Sequence, residues 1–455
     1  MSPEDKTGLL RSFLGGLPGQ AASRLATAVE MDRLMDGHAL PHEDILCGLR
    51  PILRRDHFDR TPTPLRLFCR PFQDLLTSIP RTGKHKAAIA RASLVPMWNW
   101  LLQTLLPEET RAYVTECRQL IVANKMEDAI GRAAQFWPVA AAAIIKALSS
   151  EAGRAGAAKI LGDAFAAEDA REMALLLQAG ETIEKLAVLL PLQTPAFTEA
   201  LIWQAREIYD GLVQAQPDAA PYVAVIAMNR LAKPWEALRL PLLVTRHTDE
   251  TLIAKTDMGL VGEILFARME ALKTSIRQAR HPLFDAEVLM EEVKTFAWLS
   301  SHIVHEIELK REGEWGKRLL AERVEIGRVM ETFMDRAPKE IGAALPMHKG
   351  KGADFTRHPG AEKHAMALRY ARLVTGSRNF AAAASFAARQ KAVYEDLCTL
   401  LRRYNEDVVK AMKTGGNDIV VAQFHLCVEL TAILFSEEEA ELLRRRGRAA
   451  QSAAA

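Results

Sequence analysis

Prolines and glycines punctuate the first 280 residues at intervals of about 15 to 20, the prolines standing among others at Pro41, Pro64, Pro80, Pro107, Pro138, Pro195, Pro221, Pro234 and Pro241. A proline has no amide hydrogen to donate and crowds the turn before it, so it suits the first turn of a helix and stops a helix that precedes it. Between the prolines about one residue in six is alanine, Leu, Glu, Arg and Lys are plentiful, and alternating runs of Val, Ile, Thr and Tyr are scarce. Strong helix formers punctuated this way predict an all-α protein whose front is a series of short helices packed as antiparallel pairs.

Charge and cysteine content narrow the class. The 455 residues carry 59 Lys+Arg against 57 Asp+Glu, a formal charge of +2, with 49% hydrophobic residues. So small a net charge excludes a mostly disordered chain and binding to polyanions through bulk charge. Cys47, Cys69, Cys117, Cys398 and Cys427 are far apart and odd in number, which argues against a disulfide framework or a structural zinc site and predicts small core residues. The opening Ser2-Pro3-Glu4-Asp5 reads as a helix start and not as a secretory leader, and the most apolar stretch, Ile419 to Phe435, is interrupted by Gln423, His425 and Glu429. The expectation is a cytoplasmic protein with no transmembrane segment. Leu9, Leu10, Phe13, Leu14 and Leu17 form an apolar face expected to dock on the chain's own fold.

An acid followed by alanine recurs at Asp128-Ala129, Asp169-Ala170, Glu199-Ala200 and Glu236-Ala237, with the alanines roughly 30 to 41 residues apart. That is the period of two-helix repeats, in which a small residue lets the second helix approach the first. The stretches from Leu120 to Ile130 and from Ala227 to Leu238 resemble the turn and second-helix start of tetratricopeptide repeats. The resemblance covers about residues 108–247, lacks that family's first-helix Trp, Gly and Tyr positions, and implies an α-solenoid-like array.

The texture changes after Pro282. Val293, Phe296, Val304, Ile307, Trp315, Leu319, Ile326, Met330 and Phe333 predict one long amphipathic helix to about Asp335, or two broken near Gly313. Residues 336–360 then read as a long loop rich in Gly, Pro, Lys and His, before four further helices complete a C-terminal helical bundle. Ser436 followed by three glutamates predicts a helix start, and Arg444, Arg445, Arg446 and Arg448 complement that helix's far end. The boundaries expected are a basic helical region 1–107, a repeat-like region 108–280 and a bundle 281–450.

Three constellations carry the functional readings. Arg50, Arg54, Arg55, Arg66, Arg70, Lys84 and Lys86 lie in a stretch with about seven excess positive charges, whereas residues 151–263 are about six negative. A shared basic face would form a charged contact surface for an acidic protein or for nucleic acid. His302, His305 and Glu306 fall at i, i+3 and i+4 on one helical face, a spacing that can present two imidazoles and a carboxylate to a divalent metal. The H-E-x-x-H motif fails because residue 309 is leucine. His348, Lys349, Lys351, Arg357 and His358 flank glycines in the long loop, a composition suited to closing over an anion or a partner.

The glycine-rich phosphate loop, the nucleophile elbow and the dinucleotide fingerprint are absent from the sequence. The leading functional expectation is therefore a non-enzymatic scaffold or adaptor with a protein partner and no cofactor. A metal- or anion-binding enzyme or sensor built in the C-terminal bundle is the first alternative. A regulator binding nucleic acid through residues 50–91 is the second.

Overall fold

A computed structural model describes residues 13–35, 40–55, 62–78, 84, 87–162, 164–279, 282, 284–310, 312–348, 352–358 and 360–454; the side chains at 51, 54, 55, 164, 453 and 454 lie outside that description. Ser2 to Asp5, Leu9, Leu10, Lys86, Lys349 and Lys351 are likewise outside the described residues. Among the described residues the chain is all-α, with two short two-stranded ladders. It separates into two compact units, Met1–Ala237 and Leu238–Ala455.

The first unit opens with α1 (Gly19–Leu34) and α2 (His42–Arg55), which follow Pro18 and Pro41. Leu14, Ala22, Ala26 and Val29 meet Leu46, Leu49 and Ile52 between them, with Leu17 against the cluster, while Phe13 stays exposed. In α3 (Pro64–Cys69), proline takes the first position and the Thr63 hydroxyl accepts from the Arg66 amide at 3.3 Å. A parallel ladder of β1 (Leu76–Thr77) and β2 (Ile89–Ala90) leads to α4 (Leu94–Trp100). There follow α5 (Pro107–Val122), α6 (Met126–Leu148), α7 (Glu151–Leu161), α8 (Ala164–Gln178), α9 (Gly180–Leu189), α10 (Glu199–Ala215) and α11 (Tyr222–Arg230). Helix α6 packs on α5 and α8, α7 packs on α8, and α9 packs on α10.

Pro138 lies inside α6, where proline spacing alone predicted a break. Holding a proline inside a helix costs about 3 kcal/mol. Phe136, Trp137, Ala140, Ala141 and Ile144 form a buried face that runs straight through the proline. Burying each large apolar side chain contributes about 1.5–3 kcal/mol, so the continuous face prevails.

The second unit contains α12 (Arg239–Thr245), α13 (Glu250–Ala254), α14 (Gly259–Gln278), α15 (Ala286–Glu306) and α16 (Glu314–Ala344). After an antiparallel ladder of β3 (Met347–His348) and β4 (Gly352–Ala353) come α17 (Ala361–Gly376), α18 (Ala387–Lys413), α19 (Asp418–Leu434) and α20 (Glu437–Ala454). Helix α16 packs on α14, α17 and α18, while α18, α19 and α20 pack on one another. Tyr370, Leu373, Leu401, Tyr404, Leu426 and Leu430 belong to its buried core.

Of the two forms expected for this stretch, one long helix or two broken near Gly313, the second is present, as α15 and α16. Pro338, expected to end the long helix, lies within α16, because Ala337, Ile341 and Ala344 keep one face buried past it. The connection after α16 is accordingly shorter than the 336–360 expected, and part of it is the β3–β4 ladder. The unit boundary at 237/238 also differs from the expected divisions at 107 and 280. Helix α3 packs on α6, and α14 packs on α15 and α16, so local composition shifts do not coincide with the packing divisions.

Candidate functional site

The basic segment of the first unit is wired into acidic helices. Arg66 makes a two-pronged ion pair with Glu30, at 2.6 and 2.7 Å, and Glu30 is only 3% exposed. Arg70 grips Glu184 in the same manner, with its Nε at 2.9 Å from Oε2. Arg50 reaches Glu43 within its own helix, at 3.1 Å. Arg54 and Arg55 stand in the last turn of α2.

Lys84 sits at the centre of the best-connected cluster. Its Nζ lies 2.9 Å from Asp169 Oδ1, 2.9 Å from the Ala88 carbonyl oxygen, and against Glu172. The Ala90 amide and the Ser93 hydroxyl donate to Asp169 Oδ2 at 3.1 and 2.6 Å. The Ala87 amide and the Tyr222 hydroxyl donate to Glu172 Oε1 at 2.6 and 2.5 Å. Burial, and then the adjoining Glu172 carboxylate, push the Tyr222 phenol well above its usual pKa. Two buried acids thus receive a lysine and four further donors, which binds Lys84, Ala87, Ala90 and Ser93 to α8. Nearby, Arg230 donates to Asp74 at 2.7 Å and to the Ala187 and Leu190 carbonyls at 3.0 and 2.9 Å. Burial raises the Asp74 carboxyl's pKa, against the opposing pull of Arg230.

Sequence reasoning does not mark Asp169 and Glu172 as a site. The signal available is an Asp-x-x-Glu pair placed among the alanines and leucines of 164–178, at a spacing that puts both carboxylates on one helical face.

In the second unit, Glu306 of the His302, His305 and Glu306 set binds Arg239 through both oxygens, at 2.9 and 3.2 Å. His305 is exposed and His302 is partly buried. The Glu306 carboxylate is therefore engaged by a guanidinium, and no group of three or more potential metal ligands occurs among the described residues.

A cleft of about 690 Å³ is lined by Glu250, Thr251, Lys255, Lys310, Gly313 and Trp315, among others. At its edge Glu250, 1% exposed, accepts from the Gly316 amide at 3.0 Å and so caps the start of α16 from a different helix. A Cβ on Gly313 would fall 1.2 Å from Glu250 Oε1, so a larger residue there would displace this carboxylate. Burial raises the Glu250 carboxyl's pKa, opposed by the Gly316 hydrogen bond.

The loop residues are held to the bundle. Asp407 accepts from the Ala353 amide at 3.1 Å, and Gln423 Nε2 donates to the Asp354 and Arg357 carbonyls at 3.2 and 2.8 Å. Gln423 in turn accepts from the Tyr404 hydroxyl at 2.7 Å. His348 approaches Asp354 at 3.3 Å, while Arg357 and His358 are exposed. The Thr356 side chain and amide, as hydrogen-bond donors, hold the Asp354 carboxyl below its usual pKa, with smaller help from His348.

Four cysteines are buried and Cys47 is half-buried. Desolvation pushes the Cys69 and Cys117 thiols up to about 12 and about 11, which keeps them protonated and unreactive at neutral pH. No helix among the described residues is long and apolar enough to cross a membrane. Comparison with protein families, curated proteins and solved structures finds no match to this chain.

Proposed function

We propose that this protein is a non-enzymatic interaction protein, a scaffold or adaptor that works through its surfaces. The observation that carries the reading is the contrast between two sets of bases. Arg50, Arg66, Arg70 and Lys84 are engaged by acids of their own unit, whereas Arg357, Arg403, Lys410, Lys413, Arg446 and Arg448 are exposed and make no ion pair among the described residues. Internal pairing stabilises the fold, and unpaired exposed charge remains open to a partner.

The repeat-like reading of the front is part of the same proposal. Consecutive helices α5 and α6, α7 and α8, and α9 and α10 pack against each other as successive pairs, which supports a hairpin array. Ala129 is fully buried, with the Cys117 thiol 3.8 Å from its carbonyl, in keeping with a close approach of α5 and α6. Ala170 lies in mid-helix and Ala200 is exposed, so the small-residue pattern supports one pair more strongly than the others. Such arrays offer extended surfaces to partner segments.

Affinity capture of the tagged full chain from its source cells, before and after nuclease, tests the proposal. A protein partner retained near stoichiometry after nuclease, and rebinding as purified components, is the expected result. Recovery of nucleic acid without such a partner, or of nothing, overturns it.

A further inference from the structure

The unpaired bases of the C-terminal unit are brought together by the packing of α18. Arg403, Glu406, Lys410 and Lys413 are all exposed and recur every three or four residues, so they form one stripe on that helix. In projection the stripe runs between Arg402 and Asp407. Arg402 lies over the Phe435 ring at 4.9 Å, at the entrance to α20, and Asp407 holds the Ala353 amide of the β3–β4 loop. Helix α20 and the loop therefore flank the stripe on opposite sides.

Both flanks add positive charge. Gly447 lies so close to Phe424 of α19 that a Cβ there would come within 2.2 Å of the ring, which places Arg446 and Arg448 level with the first turns of α19. Lys410 and Lys413 close α18 at that same end. On the other side Gln423, next to Phe424, holds the Arg357 carbonyl and with it Arg357 and His358. Complementarity to the helix dipole accounts for Lys410 and Lys413 in the last turn of α18. It accounts for neither Arg403, ten residues before the end of α18, nor Arg357 in the loop.

We propose that this stripe and its flanks are a docking surface for an acidic segment of a partner protein, an inference that rests on the interaction-protein reading above. The charge pattern selects that occupant. Glu406 lies within the stripe and Asp418 is exposed at the start of α19, so the surface is mixed in sign. A duplex carries a negative charge about every 1.7 Å of its axis and would meet both carboxylates. An acidic polypeptide can set its carboxylates on the bases and a basic side chain beside each acid. The formal charge of +2 also gives the whole chain little long-range attraction for a polyanion.

Fluorescence anisotropy of a labelled acidic peptide of about 20 residues, glutamate with a lysine at every fourth position, titrated with the full-length chain, tests this, with single-stranded DNA of the same length as the comparison. Two variants accompany it: Arg403→Glu with Lys410→Glu and Lys413→Glu, and the same three positions changed to Gln, each checked for an unchanged helical melt. The peptide is expected to bind, to weaken about tenfold or more in the Glu variant and less in the Gln variant, and to weaken as salt rises. Absence of peptide binding, equal binding by both variants and the native chain, or tighter binding of DNA than of peptide overturns the inference. Should affinity capture return a stoichiometric partner that the Glu variant retains in full, the stripe is wrong and the interaction reading stands.

Discussion

Glu250 decides how the longest helix of the chain begins. Gly313 supplies no side chain to cap α16, and the Gly316 amide is satisfied by Glu250 from α13 instead. Glu250→Ala leaves that amide unsatisfied and is expected to cost about 1–2 kcal/mol. Glu250→Gln keeps an acceptor oxygen and should cost less. The pH dependence has a defined sign. Because burial raises the folded-state pKa above the unfolded value, the folded chain holds the proton more tightly between the two, and this group's contribution to stability falls as pH rises through that window. Thermal melts from about pH 4 to 7 should show a shallower fall in the Gln variant than in the native chain; an identical slope would remove Glu250 from the account. Nothing in the spacing of Glu250 and Gly316 in sequence marks them as partners, since 66 positions separate them.

At the scale of elements, local chemistry is a good guide to helix starts and a poor guide to interruptions. The Ser436 hydroxyl accepts from the Glu439 amide at 3.2 Å, as the Ser-Glu-Glu-Glu run predicts, and Pro64 and Pro107 stand at the first positions of α3 and α5. Pro138 and Pro338 mislead because apolar faces continue through them. Lys84 and Ala87 are the reverse case, with little local signal and a fixed place. Lys84 is held by Asp169 and Ala87 by Glu172, each pair 85 positions apart in sequence. Lys84→Met leaves two buried carboxylates without their cation, and a loss of about 3–5 kcal/mol is expected in urea unfolding. A loss below about 1 kcal/mol would mean that the remaining donors suffice.

At the scale of the molecule, the sequence contrast between a basic stretch at 50–91 and an acidic one at 151–263 is partly resolved by pairing inside the first unit. Arg70 pairs with Glu184, and Lys84 with Asp169 and Glu172. A charge excess counted along the chain is therefore no measure of surface charge, because packing can join opposite signs that are far apart in sequence. Each unit has its own buried core, and residues 238–455 expressed alone should unfold in a single cooperative transition with strong helical circular dichroism. A broad, non-cooperative melt would show that this unit does not fold by itself.

Helix content, the helix starts at Ser436 and Pro64 and the burial of four of the five cysteines follow from the sequence alone, because propensity, capping and hydrophobic period act over a few residues. Tertiary structure decided which charges remain outside. Arg66 and Lys410 are alike in local sequence terms, each a base on a helix, yet Glu30 closes on the first and no acid among the described residues forms an ion pair with the second. That difference depends on which helix faces are brought within ion-pair distance, and Coulomb attraction between side chains registers separation in space, not along the chain.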